Sequence, residues 1–447
     1  MSSSSESRQS VRVRHEKLRG RLADALDGLG LEAEEAASTT IAQRRRRRGL
    51  SSNRIQTLQF VERDGIVMLR EGRRSIAQGR RFFRSGGADV IEEIPFARLG
   101  KNDVKAAIDR LDKKLTGRFG LYRVETIPGG SLKGRARIAR LSEQVVARAP
   151  TSGKVLLFVH GTFSNTEALL EQMQANPEGR AFLTQAFARY KDVLAFNHRT
   201  LAVSPMINAR ELYKAFRESN AEVHIVCHSR GGLVTRCWLE AMDFQPPNKR
   251  RVVFVGSPLA GTSLAAPPNL RGMLNLLANI GGALGKGSAA VPFLAAAAGF
   301  FQVFSSVTSV VANTPVIDAA VALVPGIDAQ SRVSNNRLIE SFRSDPVSSG
   351  RHYFAVQSNF EPKSNRWKFW RNFRDAKTRV GNLLVDPIFD GPNDLVVDTS
   401  SMTSLADELR ITGDQILDYG TSSKVHHTNY FQQDDLYPFI ARALEFP

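Results

Sequence analysis

Apolar runs of strand length alternate with stretches of helical period along the chain from residue 154 onward. The expected strands lie at 154–159, 193–196, 223–227, 252–255, 352–357, 395–397 and 416–419, and the expected helices at 168–190, 209–216 and 430–444. Continuous apolar runs are typical of strands buried on both faces, and strands that alternate with helices build βαβ units. The pattern predicts an α/β fold with a mostly parallel sheet flanked by helices.

The first 150 residues follow a different pattern. Residues 1–50 are rich in serine and charge and end in an arginine run at 44–48, so we expect a basic, disordered arm. Residues 51–150 combine short apolar runs with glycine and arginine, which indicates a small N-terminal α+β accessory region. The main domain is therefore expected at 151–447.

Composition narrows the class of protein without fixing its activity. The chain has 447 residues, of which 42% are hydrophobic, and this suits one large α/β domain with accessory segments. Its formal charge of +17 would attract an anionic membrane surface or nucleic acid. The two cysteines, Cys227 and Cys237, lack the spacing of a disulfide framework or a zinc site, so we expect no metal and no cofactor.

Residues 1–17 lack the apolar core that a secretory signal requires. We therefore expect a cytoplasmic or peripheral membrane protein without a signal peptide.

A serine stands where an expected strand meets an expected helix. The strand leads into Cys227-His228-Ser229-Arg230-Gly231-Gly232, and a helical pattern follows. A serine at the apex of such a turn forms a nucleophile elbow, in which small neighbours let strand and helix approach. Cys227 replaces the first glycine of the usual Gly-x-Ser-x-Gly, and the alternative is a serine that only caps the helix. We favour Ser229 as the nucleophile, with Gly231 supporting the turn, over a second match at 261–265 that follows a loop.

The strand at 154–159 ends in His160-Gly161-Thr162. A His-Gly pair at the end of an early strand is typical of a backbone bend that presents an amide to a developing oxyanion. We assign the two donors of this oxyanion hole to the backbone N–H groups of Thr162 and Arg230, with His160 and Gly161 shaping the bend.

A serine hydroxyl needs a histidine to take its proton and an acid to orient that histidine. On this kind of fold the order along the chain is serine, acid, histidine. Asp394 lies in a turn-rich loop beside an apolar run, and His426 and His427 follow it. We favour Asp394 as the acid and His427 as the base, because His427 is closer to the start of the last helix, with His426 as the alternative base. The alternative acids are Asp390 and Asp398.

The assembled motifs resemble bacterial lipases and lipase-like esterases of the α/β-hydrolase superfamily. The resemblance rests on the His160-Gly161 pair, the serine elbow, the 256–262 loop, Asp394 and a histidine before the last helix, and it covers residue 154 to the C-terminus. It implies an α/β-hydrolase fold in which Ser229, Asp394 and His427 form the triad. It also implies that the 256–262 loop lines the mouth of the active site.

Two apolar features favour a lipid substrate. A helical cap insertion is expected at about 264–330, and 291–312 within it approaches the length of a membrane span. Its proline and polar residues favour cap helices over a span. The segment 363–377 interleaves Trp and Phe with Lys and Arg, which is typical of a membrane interface but equally of an aromatic face packed on the core.

We therefore expect a serine hydrolase that cleaves carboxylic esters without a cofactor, with an ester or lipid as substrate. Peripheral contact with an anionic membrane is a further expectation, and no specific nucleic acid is expected. The alternatives are an acyltransferase or amidase with the same triad, and a non-catalytic module that binds membranes or proteins on this fold.

Overall fold

This computed structural model describes most of the chain in several ranges. They are 54–63, 66–75, 84–85, 88–95, 101–132, 135–243, 249–266, 269–284, 324–332, 336–344, 352–364, 367, 369–370, 378–380, 383–385, 388–389 and 391–446. The described residues of Leu115–Asn269, Val321–Lys363 and Ile388–Pro447 form the larger of two compact units. Those of Met1–Lys114, Leu270–Ala320 and Ser364–Pro387 form the smaller one.

An eight-stranded sheet is the centre of the larger unit. Its strands are β5 (Gly120–Leu132), β6 (Arg135–Val145), β7 (Lys154–Val159), β8 (Asp192–Asn197), β9 (Glu222–His228), β10 (Arg250–Val255), β11 (His352–Phe360) and β14 (Ile416–Ser422), in the spatial order β14-β11-β10-β9-β7-β8-β5-β6. The six strands from β14 to β8 are parallel, and β5 and β6 join them antiparallel. The mostly parallel sheet predicted from the apolar runs is confirmed.

The helices of the larger unit lie between these strands in the chain. They are α2 (Thr166–Ala175), α3 (Pro177–Arg189), α4 (Pro205–Phe216), α5 (Gly231–Ala241), the single turn α7 (Pro325–Asp328), α8 (Arg337–Ser344) and α9 (Leu436–Ala443). Two apolar cores form, and both contain strand residues together with helix residues. Together with the serine-bearing turn after β9, this arrangement is the α/β-hydrolase fold that the sequence predicts.

The single helix expected at 168–190 is two helices, α2 and α3. Asn176 separates them, because its side chain accepts hydrogen bonds from the Glu178 and Gly179 amides and so caps α3, whose first residue is Pro177. Proline is tolerated in the first turn of a helix but interrupts one that runs through it. The apolar period continues across this break, which is why the pattern alone did not show it.

Two other local predictions are wrong. Residues 395–397 form no strand; they lie in bends between Asn393 and Asp398, which make an isolated bridge, and Leu395 has a left-handed φ of 91°. The helix expected at 430–444 is shorter, because a single 3-10 turn at Tyr430–Gln432 precedes α9.

The β5–β6 hairpin belongs to the main sheet rather than to a separate region. β5 pairs antiparallel with β8, and the buried faces of both hairpin strands share a core with α2 and α3. The expected boundary at 151 therefore falls within the larger unit. β6 is an edge strand whose sequence mixes arginines with small and apolar residues, and such a mixed pattern gives little sign of burial. The division into an arm, an accessory region and a main domain otherwise stays a prediction, and residues 1–53 lie outside the described ranges.

The smaller unit contains a four-stranded antiparallel sheet and a helix from the expected cap insertion. Its elements are β1 (Arg54–Arg63), β2 (Ile66–Ser75), β3 (Arg84–Ser85), β4 (Ala88–Pro95), α1 (Lys101–Thr116, which ends just past the unit), α6 (Leu270–Leu284) and the hairpin β12 (Thr378–Val380) and β13 (Leu383–Val385). The amide side chain of Asn279 bonds both the N–H and the C=O of Val67, at 2.9 and 2.7 Å, and Asn275 accepts from the Leu69 N–H at 2.9 Å. Asparagines one helical turn apart therefore satisfy the edge of β2.

Three aromatic side chains of the basic segment are buried. Trp367, Phe369 and Trp370 are each less than 5% exposed, as expected if they pack in a core. Phe373 and the apolar stretch 291–312 lie outside the described residues. In the ranges that the structure describes, no helix combines the length and the apolar character needed to cross a membrane.

Candidate active site

Ser229 stands at the apex of the turn between β9 and α5. Its φ of 52° lies in the left-handed region, and its side chain is almost fully buried. The Ser229 N–H donates to the Val255 carbonyl at 2.9 Å, and its own carbonyl accepts from the Gly232 N–H at 2.9 Å. The first bond fixes the turn against the end of the neighbouring strand β10. This is the elbow geometry that the sequence predicts for a serine between strand and helix.

Two glycines allow the elbow to approach the end of β7. A Cβ on Gly231 would lie 2.5 Å from the Val159 carbonyl oxygen, and a Cβ on Gly161 would lie 2.7 Å from the Ser229 Cβ. Both distances are shorter than any side chain tolerates, so glycine is required by close approach at each position. The His160-Gly161 bend and the serine turn are therefore packed directly against each other.

Cys227 fits where the usual motif has glycine. Its side chain is fully buried in the core beside β10, and burial raises the pKa of the thiol to about 12. A thiol that stays protonated at neutral pH behaves as a small apolar side chain and not as a nucleophile. Cys227 is therefore a packing residue of β9.

Asp394 and His427 form a buried hydrogen-bonded pair. The His427 Nδ1 lies 2.8 Å from the Asp394 Oδ2, and the His427 N–H donates to the Asp394 carbonyl at 2.9 Å. A carboxylate accepts, so Nδ1 carries the proton and Nε2 is the basic nitrogen of the ring. This is the tautomer that a general base for a serine requires.

The Asp394 carboxylate has four hydrogen-bond donors. Besides His427, the Tyr430 hydroxyl donates to Oδ2 at 2.9 Å, and the Val396 and Val397 amides donate to Oδ1 at 3.1 and 2.8 Å. These donors come from separate positions along the chain and fix the orientation of the carboxyl group. Tyr430 was not predicted from the sequence; burial and the adjacent Asp394 carboxylate raise its pKa well above the usual value, so it stays a donor.

His228 links the pair to the elbow. The His228 Nε2 donates to the His427 carbonyl at 3.0 Å, and the two rings lie 4.8 Å apart. Burial lowers the pKa of His228 to about 3, so the ring is neutral. Because His228 immediately precedes Ser229, this bond holds the segment of His427 beside the nucleophile.

Gly256 marks how closely the site is packed. A Cβ there would lie 2.7 Å from the Tyr430 ring, 3.2 Å from the Asp394 Oδ2 and 3.3 Å from the His427 Nδ1, and its φ of 53° disfavours other residues. Gly256 follows Val255, whose carbonyl holds the Ser229 amide. The structure thus brings the predicted nucleophile, acid and base to one edge of the sheet.

The alternatives that the sequence left open lie in other contacts. The His426 Nδ1 bonds the Thr428 hydroxyl at 3.0 Å, and its ring packs edge-on against Phe360. Asp398 accepts from the amide and hydroxyl of Ser263, the serine of the rejected second motif, at 2.8 and 2.9 Å. Asp390 lies outside the described residues.

The residues assigned to the oxyanion hole flank the serine from two sides. Thr162 follows the bend at the end of β7, and its hydroxyl donates to the Gln330 side chain at 3.0 Å. The next residue, Phe163, has a left-handed φ of 56°. Arg230 opens α5, so its amide lies at the positive end of that helix dipole. Amides at such a position stabilise developing negative charge.

The arrangement supplies a nucleophile, a histidine in the basic tautomer, an anchored carboxylate and two candidate amide donors. Among the described residues, no group of three histidine, cysteine or acidic side chains has the geometry to hold a metal ion. These are the kinds of group that acyl transfer through a serine requires.

Comparisons with known proteins place most of the larger unit in one family. Residues 122–445 match the family described as Domain of unknown function (DUF7379). No curated protein matches the chain.

Several solved structures are similar at low identity. Bacillus licheniformis lipase BlEst2 in mature form is 16% identical with a TM-score of 0.35, over 68% of this chain and 95% of its own. Lipase 1 from Pelosinus fermentans is 13% identical with a TM-score of 0.40, over 66% and 98%. Phospholipase PlaB from Legionella pneumophila is 14% identical with a TM-score of 0.33, over 56% and 45%. Strand order and the elbow, rather than these similarities, define the fold of the chain.

Proposed function

Since the chain belongs to the family described as Domain of unknown function (DUF7379), we propose its activity from the chemistry of its own site: it is a serine hydrolase that cleaves carboxylic esters. Ser229 is the nucleophile, His427 the base and Asp394 the acid that orients it. The observation that carries the proposal is the pairing of His427 Nδ1 with Asp394 at 2.8 Å, in a segment that His228 ties to the serine elbow.

The proposed reaction passes through an acyl-enzyme. His427 Nε2 takes the proton of the Ser229 hydroxyl as the oxygen attacks the ester carbonyl, and the tetrahedral oxyanion accepts hydrogen bonds from the Thr162 and Arg230 amides. The protonated His427 then gives its proton to the leaving alkoxide, and the C–O bond breaks. Water, deprotonated by the same histidine, adds to the acyl carbon. The bond from this carbon to the Ser229 Oγ then breaks, His427 returns the proton to that oxygen, and the acid is released.

The four donors around Asp394 support this cycle. His427 must carry a positive charge after each proton transfer, and an ionised carboxylate 2.8 Å from its Nδ1 stabilises that charge. The Tyr430 hydroxyl and the two valine amides hold the Asp394 carboxyl group in its position beside His427. The base can therefore alternate between its neutral and charged forms without moving.

A lipid ester is the finer part of the proposal. A formal charge of +17 would draw the protein to anionic lipid surfaces, since clustered lysine and arginine attract such membranes. Peripheral contact with such a membrane would bring the enzyme to esters of limited solubility. An acyl acceptor other than water would make the same chemistry a transferase, and added alcohol in the assay separates the two outcomes.

Hydrolysis of p-nitrophenyl esters by the wild type and by Ser229→Ala tests the proposal. We expect the substitution to lower kcat by at least about 10⁴-fold, because it removes the atom that forms the acyl-enzyme. Ser263→Ala is the matched control: it removes a serine hydroxyl from the second motif, and its rate should stay within about twofold of the wild type. Equal rates for Ser229→Ala and the wild type would refute the proposal. A fluorophosphonate probe should label Ser229 and no other residue.

A further inference from the structure

A second hydrogen-bonded cluster lies behind the elbow and contains His160, His198 and Arg230. All three side chains are buried, with His198 and Arg230 fully removed from solvent. His198 follows the last residue of β8, so the cluster joins three separate segments: the end of β7, the end of β8 and the start of α5. Two of these segments carry the amides assigned to the oxyanion hole.

The hydrogen bonds assign the tautomer of each ring. The His160 Nδ1 lies 2.9 Å from the Gly161 carbonyl, so it donates, and its Nε2 accepts from the His198 N–H at 3.0 Å. The His198 Nε2 lies 3.0 Å from the His160 carbonyl and must donate. The His198 Nδ1 lies 3.0 Å from the Arg230 guanidinium and 3.3 Å from the Arg199 carbonyl. Arginine only donates, so the shorter contact makes this nitrogen an acceptor.

Both rings must be neutral for this pattern to exist. Burial lowers the pKa of His160 to about 3, and burial with the nearby His160 and Arg230 lowers the pKa of His198 well below its usual value. The rings also stack, with centroids 4.1 Å apart and planes 8° from parallel. The Arg230 guanidinium is anchored further by the Arg199 carbonyl at 3.2 Å and by the Val203 carbonyl. The cluster is therefore rigid and specific in orientation.

We infer that His198 is a positioning residue for the oxyanion hole. With one nitrogen it holds the carbonyl of His160, two residues before Thr162, and with the other it holds the side chain of Arg230. It thereby fixes the distance between the two backbone segments whose amides would meet the oxyanion. Such donors stabilise a transition state most when they are already oriented, because reorienting them during the reaction would cost free energy. The inference rests on the proposed function.

His198→Phe tests the inference, because phenylalanine keeps the ring stack and removes both hydrogen bonds. We expect kcat for a p-nitrophenyl ester to fall by about 10- to 100-fold, since small displacements of a preorganised site have effects of this size. KM should change by less than about threefold, because the ground-state ester does not use these amides fully. Affinity for a boronic acid that forms a tetrahedral adduct on the serine should fall by the same factor as kcat/KM. His198→Asn, whose amide oxygen can still accept from Arg230, should fall between His198→Phe and the wild type.

His224→Phe is the matched control. His224 is also a fully buried, hydrogen-bonded histidine, but it lies in the amino-terminal half of β9, and its substitution should lower the melting temperature without lowering kcat. If His198→Phe does not fold, the same measurements on His198→Asn decide. If the Ser229-dependent turnover of the folded His198 variant stays within about twofold of the wild type, this inference alone is overturned. A wild type without Ser229-dependent turnover would overturn the proposed function and the inference with it.

Discussion

The large sheet holds a histidine, a carboxylate and a tyrosine in contact at two places, and the two clusters differ in how the histidine is used. In the amino-terminal half of β9, the His224 Nδ1 lies 2.7 Å from the Tyr190 hydroxyl and its Nε2 lies 2.8 Å from the Glu222 carboxylate. Both ring nitrogens are therefore occupied. Glu222 also pairs with Lys154 at 3.0 Å.

At the opposite edge of the sheet, the tyrosine bonds the carboxylate instead of the histidine. The Tyr430 hydroxyl and the His427 Nδ1 share one oxygen of Asp394, at 2.9 and 2.8 Å. The His427 Nε2 then keeps the lone pair that can accept a proton from a serine. Under the proposed function, a buried histidine and a carboxylate do not by themselves make a base, because the second ring nitrogen must remain for the reaction.

Replacing the carboxylate of each cluster by an amide should give the largest difference in kcat between the clusters. Asp394→Asn is expected to lower kcat by about 10⁴-fold, because an asparagine amide can hold His427 in the wrong tautomer. Glu222→Gln removes the carboxylate of the other cluster and should leave kcat within about twofold. Steady-state rates with a p-nitrophenyl ester measure both. Comparable losses for the two variants would contradict the difference in role.

Lowering the pH should affect the cluster around His224 through the free energy of unfolding rather than through the catalytic rate. Burial lowers the pKa of His224 to about 4, whereas an unfolded histidine titrates near 6.5. As pH falls from about 6.5 to about 4, the unfolded chain binds a proton that the folded chain does not, so this contribution to stability is complete above 6.5 and is lost on acidification. Between pH 7 and pH 5 the loss is about 2 kcal/mol for one such histidine.

Urea unfolding of the wild type and His224→Phe at pH 7 and pH 5 measures this effect. The variant should lose about 2 kcal/mol less than the wild type over that interval, because it has no ring to protonate. An identical loss in both proteins would show that His224 is protonated in the folded state.

Removing the tyrosine hydroxyl from each cluster should give the smallest difference in kcat. Tyr430→Phe removes one of the four donors to Asp394, and we expect kcat to fall about fivefold, or about 1 kcal/mol, because three donors remain. Tyr190→Phe removes the donor to His224 and should leave kcat unchanged. Steady-state rates with a p-nitrophenyl ester measure both variants, and equal losses of kcat would argue against separate roles.

The central parallel strands β7 to β10 could be predicted because each contains a continuous apolar run buried on both faces. The run at 154–159 coincides with β7, and those at 193–196, 223–227 and 252–255 lie within β8, β9 and β10. The antiparallel pairing of β5 with β8 could not be predicted, because the partners lie some seventy residues apart and the pairing depends on the sheet around them. Arginines on an edge strand give no periodic signal of burial.

The candidate site could be predicted only where a short motif or the order along the chain marks a residue. Ser229 is marked by a local motif, and Asp394 and His427 by their order along the chain. Tyr430, His228 and His198 carry no motif, and each acts through a contact with a residue distant in sequence. The His427 Nδ1 bonds Asp394, whereas the Nδ1 of its neighbour His426 bonds the Thr428 hydroxyl. The choice of His427 as the base stays a prediction until it is measured.

Three of the four non-glycine residues with positive φ in the described ranges lie at or beside the site: Ser229, Phe163 after Thr162, and Leu395 after Asp394. A left-handed conformation costs roughly 1–2 kcal/mol for such residues. A glycine at position 229 would relieve that cost and remove the hydroxyl. The proposed chemistry therefore asks the fold to carry a conformational cost at position 229 that a glycine would avoid.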